Sequence, residues 1–448
     1  MVNLDNIKQL YFLGIGGIGM SALARYFVAN NYEVAGYDRN KSALCLALES
    51  ASCSISYLDS KDTIPHSFLN PENVLVVYTP AISAENELLN YFKSSGFTLC
   101  KRAEILGAIT RNQQCLAIAG THGKTTISSL LAYILSANNI DCSAFLGGIA
   151  SDFNSNLRIG SLPIAVVEAD EYDRSFLQLH PNWALISSMD ADHLDIYDTP
   201  KHLEESFQLF SDKVEQRNLI AKEGLRIDSK YTYALNSTTA DFSALNIRVL
   251  DGAYHFDLHY PTGICVDVVT GLPGIHNVEN AVAAFAMAYF QEVLPTDIAS
   301  SINSFSGVKR RFEFHVKSSK MVYIDDYAHH PKEIEMAIRS ARDLYPNKKL
   351  TIVFQPHLFT RTRDFMNDFA LALSAADRVL LLDVYPAREL PIVGVSSEVL
   401  LEKINCIDKS TCAKSEFPEI IKNSELLMTL GAGDIDSLIM PIKKYFQK

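Results

Sequence analysis

The stretch Ala119-Gly120-Thr121-His122-Gly123-Lys124-Thr125-Thr126 constrains this chain more than any other feature. It lies between a short apolar run, Cys115-Leu116-Ala117-Ile118-Ala119, and a segment of helical character from Thr125 onward. A glycine loop joining a strand to a helix aims successive backbone N–H groups and the helix N-terminus at one point, which suits a phosphate. Lys124 is then placed to reach β- and γ-phosphates, and the Thr125 hydroxyl to ligate Mg²⁺. The strict spacing G-x-x-x-x-G-K-[ST] would need glycine where this chain has Ile118, so the loop is a shortened variant. The competing reading, a glycine turn with a solvated lysine, leaves the order of strand, loop and helix unexplained.

A second glycine turn opens the chain. Leu10-Tyr11-Phe12-Leu13 runs into Gly14-Ile15-Gly16-Gly17-Ile18-Gly19, then a helical stretch Met20–Ala29, then the strand Glu33–Tyr37 ending at Asp38. Gly14-x-Gly16-x-x-Gly19 with Asp38 nineteen residues on fits a dinucleotide fingerprint and its ribose-binding acid. That turn by itself admits an NAD-dependent dehydrogenase, and equally any nucleotide diphosphate beside a helix N-terminus. A later strand, Val74–Tyr78, leads into Thr79-Pro80.

Strands and helices keep alternating beyond these turns, which predicts three α/β domains. We place them at 1–105, 106–309 and 310–448, with a polar hinge at Thr110–Gln114 and a basic run at Lys309-Arg310-Arg311. That run reads either as a solvated linker or as cations reaching a nucleotide. The 448 residues are 48% hydrophobic and 21% charged, which excludes disorder and fibrous classes. A formal charge of −12 argues against general binding to nucleic acid or an anionic membrane. No apolar run reaches membrane-spanning length and no signal peptide is evident. Eight scattered cysteines without metal spacing suggest reduced thiols and a cytoplasmic setting.

Acidic and imidazole residues gather after several predicted strands. Glu168 ends Ile164–Val167 and opens Glu168-Ala169-Asp170-Glu171-Tyr172-Asp173, where a carboxylate can serve a metal. Asp190-Ala191-Asp192-His193-Leu194-Asp195 follows Trp183–Ser187; His193 reads as a loop histidine or an imidazole ligand. His276 and Asn280, in Gly274–Asn280, share a face and can flank a base if the Ala281–Tyr289 helix begins there. Asp325-Asp326-Tyr327-Ala328-His329-His330-Pro331 follows a strand and precedes a helix, at the carboxyl edge where α/β sheets bind ligands. After the strand Leu350–Phe354 comes Gln355-Pro356-His357-Leu358-Phe359-Thr360-Arg361-Thr362-Arg363, whose Arg361 and Arg363 can clamp a carboxylate or phosphate.

Assembled in order, GIGGIGMSALA, GTHGKTT, EADEYD, DADHLD, HNVENA, GVKRRFE, DDYAHHP, QPHLFTRTRD and GAGDI (Gly431–Ile435) resemble the Mur ligase family over nearly the whole length, on its alanine-adding branch. The resemblance implies a Rossmann-like N-terminal domain, a central P-loop ATPase domain with a mostly parallel sheet, and a Rossmann-like C-terminal domain closing over ATP. It implies ATP and Mg²⁺ as cofactors, UDP-N-acetylmuramate and L-alanine as substrates, an acyl-phosphate route, a monomer or homodimer, and no nucleic-acid partner or membrane insertion. Carried over by position, Gly14, Gly16, Gly17, Gly19, Asp38 and Thr79 take the UDP moiety. Gly120, Thr121, His122, Gly123, Lys124, Thr125 and Thr126 hold the ATP phosphates. Thr125, Glu168 and His193 serve the metal, and His276, Asn277 and Asn280 flank adenine. Arg311 and Asp325 meet the phosphates or ribose, while Tyr327, His329, Arg361 and Arg363 line the alanine and acyl-phosphate site. Lys124, His193, His329 and Arg361 are the catalytic set, with His329 or solvent as the base. Two departures stand out. The offset at which later-acting relatives carry a carbamylated lysine falls on Gln208, and many members have Arg where this chain has Leu358. The nearest rival within the family is a recycling enzyme that adds a whole tripeptide to the same sugar nucleotide. A nucleotide-gated regulatory protein is the rival outside it.

Overall fold

The computed structural model describes residue 4 and residues 7–192, 194–387 and 389–447. Three α/β sheets organise them. The first holds β1 (Gln9–Leu13), β2 (Glu33–Tyr37), β3 (Ser54–Ser56), β4 (Val74–Tyr78) and β5 (Thr98–Lys101) in the order β3-β2-β1-β4-β5, all parallel. Leu10 to Leu13 are fully buried because β1 is paired on both edges and covered on both faces. The chain winds outward from β1 to β3 and then returns to β4 beside β1. That reversal opens a crevice at the carboxyl ends of β1 and β4, and the first glycine turn leaves from there.

The second sheet holds β6 (Gln114–Ala119), β7 (Ser143–Ala150), β8 (Ser155–Arg158), β9 (Ile164–Glu168), β10 (Trp183–Ile186), β11 (Leu219–Lys222), β12 (Tyr231–Leu235), β13 (Phe242–Leu250), β14 (Ala253–Tyr260) and β15 (Gly263–Thr270). Their order is β15-β14-β13-β12-β11-β10-β6-β9-β7-β8. From β12 to β7 every neighbour is parallel, and β8 turns back antiparallel on β7. The third sheet holds β16 (Glu313–Lys317), β17 (Val322–Asp326), β18 (Leu350–Phe354), β19 (Arg378–Leu381), β20 (Asp408–Thr411) and β21 (Leu426–Leu430), ordered β16-β17-β21-β18-β19-β20. It is parallel apart from β16.

The chain forms two compact units. One comprises Met1–Ser243, His259–Cys265 and Ala281–Ser301; the other comprises Ala244–Leu258, Val266–Asn280 and Ile302–Lys448. In the first, one continuous apolar core runs from Leu10, Phe12 and Phe27 to Ala117, Val167, Ile186 and the Phe176–Phe210 stack. Both glycine turns therefore stand on the same packed support. In the second, separate apolar layers cover the two faces of the third sheet, one with Val322, Ile352 and Phe369, the other with Tyr323, Val353 and Ile442. No helix among the described residues is long and apolar enough to cross a membrane.

Candidate active site

The phosphate loop leaves β6 at Ala119 and enters the helix Lys124–Ala137. Gly120 (φ +131°) and Gly123 (φ +82°) take backbone conformations that favour glycine. A Cβ on Gly120 would lie 2.2 Å from Ser187 Oγ. The end of β10 braces this turn: Ser187 Oγ donates to His122 O (2.5 Å), and Ser188 Oγ accepts from His122 N (2.8 Å) and meets Thr121 Oγ1 at 2.9 Å. Lys124 Nζ donates to Gly120 O (2.6 Å) and pairs with Glu171 Oε2 at 2.8 Å. Burial would pull the Lys124 pKa down, but the carboxylates of Glu171, Asp170 and Glu168 outweigh it, so the ammonium titrates above the usual lysine range. Glu171 was one acid among several in the sequence. Its partnership with Lys124 needs the tertiary fold, since only the parallel pairing of β6 and β9 brings the two segments together.

Thr125 Oγ1 donates to Glu168 Oε1 (3.1 Å), and Gly147 N donates to Glu168 Oε2 (2.8 Å). A Cβ on Gly147 would fall 2.3 Å from that oxygen, so glycine there keeps the carboxylate in place. A hydroxyl and an anchored carboxylate are hard oxygen donors of the kind Mg²⁺ accepts. His193 lies outside the described residues. Among the described residues, no group of three or more His, Cys, Asp or Glu side chains is arranged to hold a metal. His122 Nε2 lies 3.5 Å from Asp190 Oδ2. Gln208 is exposed and donates to Ser211 Oγ and Asp212 Oδ1.

In the first glycine turn, Gly14 (φ +84°) and Ile15 donate their N–H groups to Tyr37 O, and Gly17 caps the helix Ile18–Ala29. A Cβ on Gly14 would approach Thr79 Cγ2 to 3.0 Å, so β4 delivers Thr79 to the turn. Asp38 also braces the turn. Its two oxygens accept Gly16 N (2.8 Å) and Asn40 N (3.0 Å), which gives the carboxylate a loop-holding task. Gly19 lies against Arg102, whose Nη1 would be 2.7 Å from a Cβ there.

In the second unit, the carboxyl edge of the third sheet gathers cations and rings. Arg310 and Arg311 stand 5.3 and 5.1 Å from the Tyr327 ring centre, within cation–π range. Tyr327 and His329 meet edge to face, His329 neighbours His357, and His357 stacks on Tyr385 at 5.7 Å. Arg361, nearly buried, brings Nη1 to 3.5 Å from His357 Nδ1. His329 Nδ1 faces two acceptors, Tyr327 O (3.0 Å) and Glu333 Oε2 (3.3 Å), so Nδ1 carries a proton. Leu358 adopts φ +70°, which glycine adopts far more readily, and its N–H donates to Tyr385 O.

Two expectations need correction here. Asp325 is fully buried in β17; Arg310 Nε (2.9 Å) and Thr429 Oγ1 (2.6 Å) donate to it, so it anchors Arg310 and is not open to a ribose. Arg363 faces solvent and donates to Asp364 Oδ1 (2.7 Å). The Ala-rich helix begins at Ile275, ahead of the Ala281–Tyr289 stretch, which meets the condition set for His276 and Asn280. That early start puts His276, Asn277 and Asn280 in its first turns, where Asn280 Nδ2 donates to Asn277 Oδ1 (3.1 Å). His276 Nδ1 lies 3.4 Å from Ser340 Oγ, and burial lowers its pKa to about 4, which makes it a neutral ring at pH 7.

Phosphate-type glycine turns on parallel sheets, together with a cation and imidazole cluster on a third sheet, define a nucleotide-dependent α/β enzyme. The chain matches the Mur ligase family, catalytic domain, over residues 9–114, the Mur ligase middle domain over 118–288, and the Mur ligase, glutamate ligase domain over 310–435. It is 48% identical, over 99% of both chains, to UDP-N-acetylmuramate–L-alanine ligase of Christiangramia forsetii, and 48% identical over the same shares to the enzyme of that name from Flavobacterium psychrophilum. Its fold matches the crystal structure of UDP-N-acetylmuramate-alanine ligase from Thermotoga maritima with a TM-score of 0.85, at 24% identity over 98% of this chain and 99% of that one. The chain belongs to the Mur ligase family.

Proposed function

We propose that this chain joins L-alanine to the lactyl carboxylate of UDP-N-acetylmuramate, cleaving ATP to ADP and phosphate, as a step in building peptidoglycan precursors in the cytoplasm. The observation that carries this reading is the Lys124–Glu171 and Thr125–Glu168 arrangement at the phosphate loop, in a chain nearly half identical to curated alanine ligases along its full length. Residues 1–105, 106–309 and 310–448 serve in turn as sugar-nucleotide, ATP and amino-acid modules.

The sugar's carboxylate attacks the γ-phosphate to give an acyl phosphate, the neutral amine of alanine attacks the acyl carbon, and the tetrahedral species collapses to amide and phosphate. Two unit negative charges 4 Å apart repel by ~1 kcal/mol in water and ~4 kcal/mol at an effective dielectric of 20. A water-excluding site therefore has to supply positive charge before the anions can meet. Lys124, held by Gly120 O, supplies it at the phosphates. Thr125 and Glu168, with His193 implied by family position, would hold Mg²⁺, which when bound neutralises charge on the transferring phosphoryl group. Arg361 and Arg311 supply cationic character at the acyl end. His329 Nε2 accepts a proton from the alanine ammonium, its ring oriented by Glu333. His276, Asn277 and Asn280 flank the adenine.

The test is Lys124→Ala. Phosphate release that depends on ATP, UDP-N-acetylmuramate and L-alanine should fall at least about 100-fold. Wild-type turnover would overturn the assignment. Offering a tripeptide in place of alanine, with the product read by mass, separates this reading from the recycling reaction.

A further inference from the structure

The acidic run after β9 faces two ways. Glu168 and Glu171 turn to the phosphate loop, while Asp170 and Asp173 pair with two adjacent cations that precede the hinge between the first two sheets. Arg102 Nη2 lies 3.1 Å from Asp170 Oδ2, and Lys101 Nζ lies 2.6 Å from Asp173 Oδ2. The run is also held internally. Tyr172 N donates to Asp170 Oδ1 (3.1 Å), Phe176 N to Asp170 O (2.8 Å) and Tyr197 OH to Glu171 O (2.5 Å). Asp173 and Arg174, both with positive φ (52° and 54°), form a strained turn that the Lys101 pair clamps. Arg102 has a second contact: Nη1 lies against Gly19, one residue into the helix that follows the first glycine turn.

We propose that Arg102 is a positioning residue that couples the two nucleotide sites, its guanidinium serving Asp170 on one side and the sugar-nucleotide diphosphate at the first glycine turn on the other. This rests on the reading of that turn as the UDP site. A guanidinium carries five N–H donors in a rigid fork and can serve two anions at once, which a lysine ammonium on a flexible stem does poorly. An incoming diphosphate that fixes Arg102 also fixes Asp170, and through the locked backbone it fixes Glu171 and Glu168 at the ATP phosphates. Ordering done by the first ligand need not be repeated for the second, so the two bind cooperatively.

The experiment is a thermodynamic box by calorimetry on the full chain: the Kd of a nonhydrolysable ATP analogue with Mg²⁺, with and without saturating UDP-N-acetylmuramate. Wild type should bind the analogue about fivefold or more tighter when the sugar nucleotide is present. In Arg102→Gln that ratio should fall to about one, while the analogue's Kd without sugar nucleotide stays within about threefold of wild type. Arg102→Lys should restore part of the ratio. Asp170→Asn, which leaves Arg102 in place, should lower the ratio while UDP-N-acetylmuramate still binds, and it keeps the test alive should Arg102→Gln fail to fold. A wild-type ratio of one, or an unchanged ratio in both Arg102→Gln and Asp170→Asn, would overturn the coupling. Wild type that binds no UDP-N-acetylmuramate would instead overturn the reading of the glycine turn on which the coupling stands.

Discussion

Asparagine in place of Asp326 should flatten the pH dependence of stability in the third sheet between about pH 4 and pH 7. Asp326 ends β17, is buried, and accepts backbone N–H groups from Ala328 (2.7 Å) and Phe312 (2.8 Å), one on each oxygen. Burial pushes its pKa from 3.8 up to about 7; Arg311 opposes the rise and Glu333 adds to it. The folded chain thus holds this proton more tightly than the unfolded one. The stabilisation is complete below about pH 4, shrinks as pH rises, and is gone above about pH 7. Each tenfold in proton affinity is about 1.4 kcal/mol, so the displacement is worth on the order of 4 kcal/mol, or about three decades in an opening equilibrium. Amide hydrogen exchange along β17, corrected for intrinsic rates, reads this directly. Wild-type protection should drop across that pH interval while the Asp326→Asn curve stays level. The variant should start lower in acid, because an amide accepts only one of the two N–H groups and leaves the other buried and unpaired, a cost of about 1–3 kcal/mol. Parallel curves for the two proteins would refute the reasoning.

Gly120→Ala should raise the KM for ATP at least about tenfold. A left-handed backbone costs about 1–2 kcal/mol for an L residue, and the methyl would meet Ser187 Oγ at 2.2 Å and Ser188 N at 2.8 Å, so steady-state kinetics with varied ATP should show the loop displaced. Arg361→Ala should reduce kcat/KM by about 100-fold, whereas Arg363→Ala, which removes a solvent-facing pair with Asp364, should stay within about twofold of wild type in the same coupled assay.

Much of the architecture was legible because the strands are buried on both faces. Glu33–Tyr37, Val74–Tyr78 and Leu350–Phe354 have the bounds read from the sequence, since a continuous apolar run between turn residues admits little else. The helix start at Ile275 was offered by the sequence but left open, because the burial of its polar residues, Asn277 and Asn280, is decided by partners that periodicity does not encode. The phosphate loop was legible for a local reason: its strand, glycines, lysine and threonine are contiguous. Distant partnerships were not. Family position singled out Arg311, and spacing did not separate it from Arg310, yet it is Arg310 that is anchored to a fully buried Asp325. Arg102 sits far from Asp170 in sequence, and its pairing emerges only when the first two sheets share a core.

The Lys124–Glu171 pair has a consequence for what the loop admits. Glu171 is almost wholly buried, so an anion approaching Lys124 competes with a carboxylate that gains little from water if it is displaced. A small lone anion brings few contacts to that contest, whereas a longer polyphosphate chain brings many along the whole turn. The same buried acid that steadies the lysine thereby acts as a threshold against weakly held anions.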